Sequence, residues 1–404
     1  MRRSKGAKVI YKYLGWLLKL SDEGRVAMVF WLIAGAISLN VGTTQFYFLW
    51  SAITGLLIGS ILLSRRFRLG GVRLRVEVPR RTMVQEEIIF SLTLKNSGSS
   101  VHQAIRIREP FLPWDGVYSS TAPTIEQLAP GEIHHTTCKA RFAARGEHHL
   151  DVFEAGALVP LGLGAGPSVE STGIRFLVVP RIARVTQLTT PLTHRYQPGG
   201  VALASRTGES RELTGIRPYR AGDPMRDLHS ASWARTGQPM VREYQQEYFT
   251  RIGVVVDTSQ DSATEEQFEA GLSLAAGLVS HLSRGEALID LLVIGEDVHQ
   301  LVLGRSLGFF DQALDLLACV EPTATLSSST LEARLNPYLN QLSCVVFVTL
   351  GWDESRAGFR DWITSSGVGC RVLEVAGQHS PAPVDEHLTQ LTVAEINGDR
   401  DLLL

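Results

Sequence analysis

Three oxygen-bearing side chains, Asp257, Ser259 and Asp261, alternate at the end of the apolar run RIGVVVD (251–257). Carboxylates and a hydroxyl are oxygen donors of the kind a hard divalent cation takes. A second concentration of chemistry lies just upstream. Between Glu209 and Arg251 there are seven Arg, six acidic residues and no Lys, far denser in charge than the 20% of the whole chain. Arg without Lys points to planar, multi-donor bonding to carboxylates or carbonyls. Two roles suit this segment. Arg217, Arg220, Arg226, His229, Arg235 and Arg242 could form a docking surface, or pair with Glu212, Asp223, Asp227 and Glu243 as a structural network. Splitting the roles by position, Arg217 and Arg235 are expected to be structural, and Arg226 and His229 to face a partner together with Trp233. His229 is the only histidine of this segment, a residue type suited to acid–base work. With Asp257 and Asp261 it makes the residue set of a metal-dependent hydrolase, the alternative to a non-enzymatic reading.

Other chemistry is absent from the sequence. It has no G-x-S-x-G, no H-E-x-x-H and no phosphate loop. The glycines of GALVPLGLGAG (156–166) are spaced wrongly for a dinucleotide loop. His134-His135 and His148-His149 sit on expected strands, where neighbours point to opposite faces, so neither pair can chelate jointly. Cys138, Cys319, Cys344 and Cys370 are far apart and read as reduced, mostly buried thiols. A net charge of −2 gives no field favouring nucleic acid, and the acidic residues of the Arg-rich segment argue against it too.

The elements that must position these residues follow from patterning. A length of 404 residues predicts about two or three domains. Val26 to Ser64 is 39 residues without a charge. As one helix it would run about 58 Å, twice the hydrocarbon core of a bilayer. The polar turn NVGTTQ (40–45) divides it into spans at about 25–40 and 46–63. Basic residues precede the first span and follow the second, while the turn has none, which places both ends in the cytoplasm. Residues 1–68 are thus a basic N-terminus and two transmembrane helices, with membrane contact through residues 25–63. Residues 69–180 show short alternating runs at hairpin spacing, 72–78, 86–95, 103–109, 132–142, 148–154 and 174–180, which suggest an immunoglobulin-like β-sandwich. Residues 181–250 are a linker and the Arg-rich segment, where Asp223-Pro224 and Gly237 bracket an expected helix over 224–235. Residues 251–404 alternate strands and helices, the pattern of a doubly wound α/β domain.

The Arg-rich segment carries a resemblance. Arg217-x-Tyr219-x-x-Gly222-Asp223-Pro224, then His229, Ala234-Arg235-Thr236-Gly237 and Val241-Arg242-Glu243 resemble the signature of the domain-of-unknown-function 58 family. The likeness spans residues 24 to 351 and is most specific over 209–259. One departure is Ser230, where the family has Trp; here the Trp is Trp233. The resemblance implies a membrane-anchored bacterial protein of the inner membrane, encoded beside a MoxR-type AAA+ ATPase and acting in the assembly or maturation of protein complexes. Asp257 and Ser259 after the first α/β strand also resemble the cation loop of a von Willebrand factor A domain. That fold draws a Thr and a second Asp from other loops. Here Thr323, Thr325 and Thr330 are candidates for the Thr, and Leu350 stands where the Asp is expected, with Asp353 nearby. The expected whole is a multi-domain protein: a two-helix transmembrane hairpin, an immunoglobulin-like sandwich and a von Willebrand factor A-like α/β domain. It is expected to have no cofactor beyond a weakly held Mg²⁺.

Overall fold

The computed structural model describes residues 21–38, 44–191, 213–223, 225–244, 250–259, 263–285, 287–295, 297–303, 307–324, 326–377, 388–398 and 400–404. The chain forms two compact units, Met1–Val179 and Pro180–Leu404. Asp261, Thr325, Glu212 and the turn at 40–43 lie outside the described residues, as do the side chains of Arg226 and Glu243.

The first unit opens with α1 (Asp22–Ser38) and α2 (Thr44–Ser64). The two pack together. Trp31 and Trp50 stack at 5.9 Å, and Trp31 Nε1 donates to Thr54 Oγ1 at 2.7 Å. Gly35 makes this approach feasible, because a Cβ there would lie 2.8 Å from Trp50 Nε1. Among the described residues one helix, Gln45–Ser64, is long and apolar enough to cross a membrane. The expected first span falls short of that measure. The 17 residues of α1 rise only about 25 Å, and two of them, Asp22 and Glu23, are acidic. Glu23 is tied by a two-point ion pair to Arg106, both contacts at 2.8 Å.

Eleven strands follow: β1 (Val72–Glu77), β2 (Arg81–Met83), β3 (Glu87–Asn96), β4 (His102–Arg108), β5 (Gly116–Ser120), β6 (Ile125–Leu128), β7 (Ile133–Phe142), β8 (Gly146–Leu150), β9 (Glu154–Ala157), β10 (Val169–Glu170) and β11 (Ile174–Val179). They form three sheets, ordered β1-β3-β7-β5, β10-β9-β4-β6 and β2-β11-β8. Every pairing is antiparallel except β2 with β11. Alternation explains the faces. Ile88, Phe90, Leu92 and Leu94 of β3 all point inward, and Phe90 meets Phe153 and Phe176 in the core. The expected strand 148–154 is two strands, β8 and β9.

The second unit begins with β12 (Val185–Gln187) and the hairpin β13 (Leu213–Pro218) and β14 (Met240–Tyr244), which encloses α3 (Ser230–Thr236). Then come β15 (Arg251–Asp257), α4 (Glu265–Leu282), β16 (Leu288–Ile294), β17 (Val298–Leu303), α5 (Leu307–Ala318), α6 (Ser328–Leu339), β18 (Cys344–Thr349), α7 (Glu354–Ser365), β19 (Gly369–Ala376), β20 (Leu388–Thr392), α8 (Val393–Asn397) and β21 (Leu402–Leu403). Six of the strands make one sheet, β17-β16-β15-β18-β19-β20. Its neighbours run parallel except β16 and β17. All of β18 is buried, as strands covered on both faces must be. Leu331, Leu335 and Leu339 of α6 and Phe359 and Ile363 of α7 join Val255, Phe347 and Val372 in one core cluster. Helix α4 starts cleanly because Thr264 and Gln267 form a reciprocal capping box.

The expectation of buried thiols fits three of the four cysteines. Burial pushes Cys138, Cys344 and Cys370 up to about 12, whereas Cys319 is exposed at the end of α5. The thiolate is the reacting species. Alkylation of the native protein should therefore label Cys319 alone, with the other three modified only after denaturation, as peptide mass spectrometry would show.

Candidate functional site

In an open α/β sheet, ligands bind beyond the carboxyl ends of the strands where the strand order reverses. Here the order reverses between β15 and β18. The loops leaving those two strands carry the residues the sequence singled out.

Asp257 closes β15 and is 1% exposed. Its Oδ1 accepts from Ser259 N at 2.9 Å and from the Ser259 hydroxyl. Its Oδ2 accepts from Arg356 Nε at 2.9 Å. Arg356 lies in the first turn of α7 with its side chain 8% exposed, and its Nη1 donates to Asp353 Oδ2 at 2.6 Å. Asp353 is also the N-cap of α7, accepting from Arg356 N at 2.8 Å. A single guanidinium thus bridges the two carboxylates nearest the strand ends. Thr323 joins them: it pairs with Ser259 in an isolated parallel bridge, and its Oγ1 is 3.0 Å from Thr258 Oγ1. Thr330 instead sits at the start of α6, bonded to Ser327. Leu350 is buried beneath α4, where a Cβ on Gly271 would lie 2.8 Å from its Cδ2.

With Arg356 in place, the described part of this donor set does not fit a divalent cation, and Asp261 lies outside the described residues. Both Asp257 oxygens are taken, one by Ser259 and the other by a fixed positive charge. Among the described residues no three His, Cys, Asp or Glu side chains converge as metal ligands. Sequence reasoning passed over Arg356. Asp353 was readable as a partner three residues before Arg356, but the second carboxylate, Asp257, is brought to it only by the fold.

The Arg-rich hairpin is a separate arrangement in the same unit. Register pairs Gly215 with Glu243, Ile216 with Arg242 and Arg217 with Val241. Arg217 grips Asp223 with two nitrogens, at 2.7 and 2.9 Å, and Arg220 N adds a third bond to the same carboxylate at 2.8 Å. Gly222 is required between them because its φ is +106°. Tyr219 N–H holds the opposite strand through Pro239 O at 2.9 Å.

The expected helix over 224–235 is broken. Met225–Asp227 is one 3₁₀ turn and the α-helix starts at Ser230. Leu228 pairs with Val241 and His229 N–H donates to Met240 O at 2.8 Å, so the chain is drawn extended against β14 before the helix can begin. His229 is consequently the N-cap: its Nδ1 accepts from Ser232 N at 3.3 Å and lies 2.8 Å from Ser232 Oγ. Its ring is committed to the helix start and does not share a helical face with Arg226. Gly237 ends the helix in the left-handed region, donating to Trp233 O. Trp233 is 43% exposed, and Arg220, Arg235 and Arg242 are also exposed, so Arg235, expected to be structural, stands at the surface, unlike Arg217.

The three bonds to Asp223 hold its carboxyl down at about 2, with Arg217 the largest cause. A depressed carboxylate contributes stability above its unfolded value and loses it as pH falls through the folded one. The loop should therefore hold from neutrality down to about pH 4 and loosen towards about pH 2. Carboxyl NMR should place the Asp223 midpoint well below an ordinary aspartate, and Arg217→Ala should return it to that range.

Taken together, the chain is a multi-domain protein of many sheets with, among the described residues, one helix long and apolar enough to cross a membrane. Residues 215–347 match the family described as "Protein of unknown function DUF58". No curated protein resembles the chain closely enough to count as a match. Similar solved structures include the Escherichia coli alpha-2-macroglobulin fragment from domain MG7 to the C-terminus, at 13% identity and a TM-score of 0.22, covering 29% of this chain and 20% of that one. A FixG-related protein from Vibrio parahaemolyticus gives 13% and 0.19, covering 27% of this chain and 96% of that one. The Vibrio harveyi exo-β-N-acetylglucosaminidase gives 12% and 0.18, covering 76% and 56%. Scores this low carry no argument about fold or activity. The chain spans about a fifth of the alpha-2-macroglobulin fragment.

Proposed function

We propose that this protein is a membrane-tethered, non-enzymatic adaptor of the bacterial inner membrane. In this reading α1 and α2 form a transmembrane hairpin with both ends cytoplasmic. The strands of the first unit are an immunoglobulin-like sandwich, and the second unit is a von Willebrand factor A-like domain that engages a MoxR-type AAA+ ATPase in assembling or maturing protein complexes.

The observation that carries the non-enzymatic choice is Asp257. A hydrolase built on it would need a carboxylate oxygen free for a metal or a water, and Ser259 and Arg356 occupy both. His229, the third member of the alternative site, is spent on capping α3. The tether is supported by surface chemistry. Phe30, Phe48 and Leu62 are 60, 69 and 72% exposed, and contiguous apolar surface of this kind belongs against lipid or protein, not water. The ATPase follows from the family resemblance, and the exposed Trp233, Arg235 and Arg242 give the hairpin a surface suited to a partner, since Trp and Arg dominate interface energetics.

Topology is tested by a reporter fused after Leu404. It should report the cytoplasmic side, and activity of a periplasm-only reporter there would reverse the assignment. Association is tested by co-purifying the full-length protein from membranes with a co-expressed MoxR-type AAA+ ATPase, using Trp233→Ala as the surface variant expected to weaken capture.

A further inference from the structure

We infer that Arg356 is the resident cation of the second unit's switch point: the chain fills the place of a divalent metal with its own guanidinium, and removing that guanidinium uncovers a cation site. The inference stands on this site's geometry alone. Failure of the ATPase to bind would leave it intact.

Four observations lead to it. Asp257 and Asp353 come from different loops, at the ends of β15 and at the start of α7, yet both direct an Oδ2 at one guanidinium, at 2.9 and 2.6 Å. Arg356 is more than nine-tenths buried and Asp257 almost wholly so, so this is a desolvated pair and not a surface contact. A basic residue in the first turn of α7 works against the helix dipole, and Asp257 and Asp353 are the two carboxylates bonded to it. The remaining lining is oxygen-rich: the Ser259 hydroxyl lies on Asp257, and Thr258 and Thr323 meet beside it. Oxygen donors with two negative charges are the surroundings a hard dication requires, with waters completing its shell. In the wild type the guanidinium holds the centre by two bonds fixed in a planar fork.

A functional consequence follows. A metal at such a switch point can exchange, and its occupancy follows the cation concentration. A guanidinium on α7 cannot leave. Contacts made through this face should therefore be insensitive to divalent cations and chelators.

The test uses the full-length chain in lipid nanodiscs, with Mn²⁺ as the probe. Mn²⁺ binding is read by electron paramagnetic resonance and stability by thermal melting with Mg²⁺ or EDTA. The wild type should show no saturable Mn²⁺ site and the same Tm in both solutions. Arg356→Met keeps the unbranched stem as far as the Nε position and removes the charge and every donor. It should melt lower in EDTA, recover with Mg²⁺, and bind Mn²⁺ at least about tenfold more tightly than the wild type, since a ligand that binds only the folded state stabilises it by mass action. Adding Asp257→Asn to Arg356→Met should abolish that binding and remove the Mg²⁺ dependence. Arg356→Lys, which keeps a charge at the centre, should behave as the wild type does towards Mn²⁺.

The idea is overturned if the wild type holds Mn²⁺ at a site that Asp257→Asn removes, or if Arg356→Met gains neither Mn²⁺ affinity nor Mg²⁺-dependent stability. If Arg356→Met folds only when Mn²⁺ or Mg²⁺ is supplied, the idea is supported. If it fails to fold with metal present while the double variant folds, the vacated position does not accept a cation and the idea is wrong.

Discussion

Arg251→Met is expected to destabilise the second unit by about 3–5 kcal/mol, the cost of stranding a buried carboxylate. Asp290 lies in the middle of β16 with no exposure, and Arg251 binds it at both oxygens, Nε at 2.8 Å and Nη2 at 3.0 Å. A methionine would retain most of the apolar stem and lose every donor. The loss should depend on pH. Burial pushes the Asp290 carboxyl above the ordinary aspartate range, against the downward pull of Arg251. Without Arg251 only the upward push remains, so the folded value rises further. A carboxyl whose folded value is raised favours the folded state below its unfolded value and loses that advantage as pH rises through the folded one. The deficit relative to wild type should therefore be full at alkaline pH and shrink towards acid pH, where Asp290 can take a proton. Urea unfolding of wild type and variant across that range measures it. A deficit that is small throughout, or that grows towards acid pH, would show that Asp290 is solvated or otherwise paired.

Gly277→Ala is the second large effect, and its sign opposes simple helix propensity. Alanine in the interior of α4 would be favoured by about 1 kcal/mol on propensity alone. Its Cβ, however, would lie 2.4 Å from Ala183 O and 3.0 Å from Ala183 C. These are backbone atoms of a segment pinned to the same helix, since Ala183 N donates to Ser273 O at 3.1 Å. No side chain can swing aside, so overpacking of about 1–3 kcal/mol beyond the propensity gain is expected. Gly271→Ala is the comparison. Its Cβ would meet Leu350 Cδ2 at 2.8 Å, the tip of a side chain that can turn. Thermal melting should rank Gly277→Ala well below Gly271→Ala, and the reverse order would mean that the segment around Ala183 yields easily.

Strong periodicity was legible and weak periodicity was not. The apolar runs of β15 and β18, the helical spacing of α4 and the alternation of β3 and β7 mark themselves, because burial on one or both faces dictates their residues. Strands β2, β9 and β10 have two to four residues, too few for alternation to register. The Arg-rich segment announced its importance through composition, and Gly237 its helix end. The start of α3 was misplaced because Asp223-Pro224 looks like a cap. Tertiary pairing of Leu228 and His229 with β14 decides the matter, and Asp223 is drawn to Arg217 instead. At the switch point, Asp257 and Ser259 were readable as a pair from spacing. Arg356 lies 99 residues beyond Asp257 in sequence, and only the fold brings them together.

The claim that this chain is a membrane-tethered adaptor is tested most directly by size-exclusion chromatography with light scattering. The full-length protein in nanodiscs is mixed with a MoxR-type AAA+ ATPase, the proposed partner, and with ATP. The account predicts a complex of defined mass that forms with wild type, weakens with Trp233→Ala, and is accompanied by no hydrolysis of ester or peptide substrates that Asp257→Asn removes. Absence of any complex, together with a Mg²⁺- or Mn²⁺-dependent hydrolytic activity that Asp257→Asn abolishes, would contradict it and return the metal-dependent enzyme as the reading of this site.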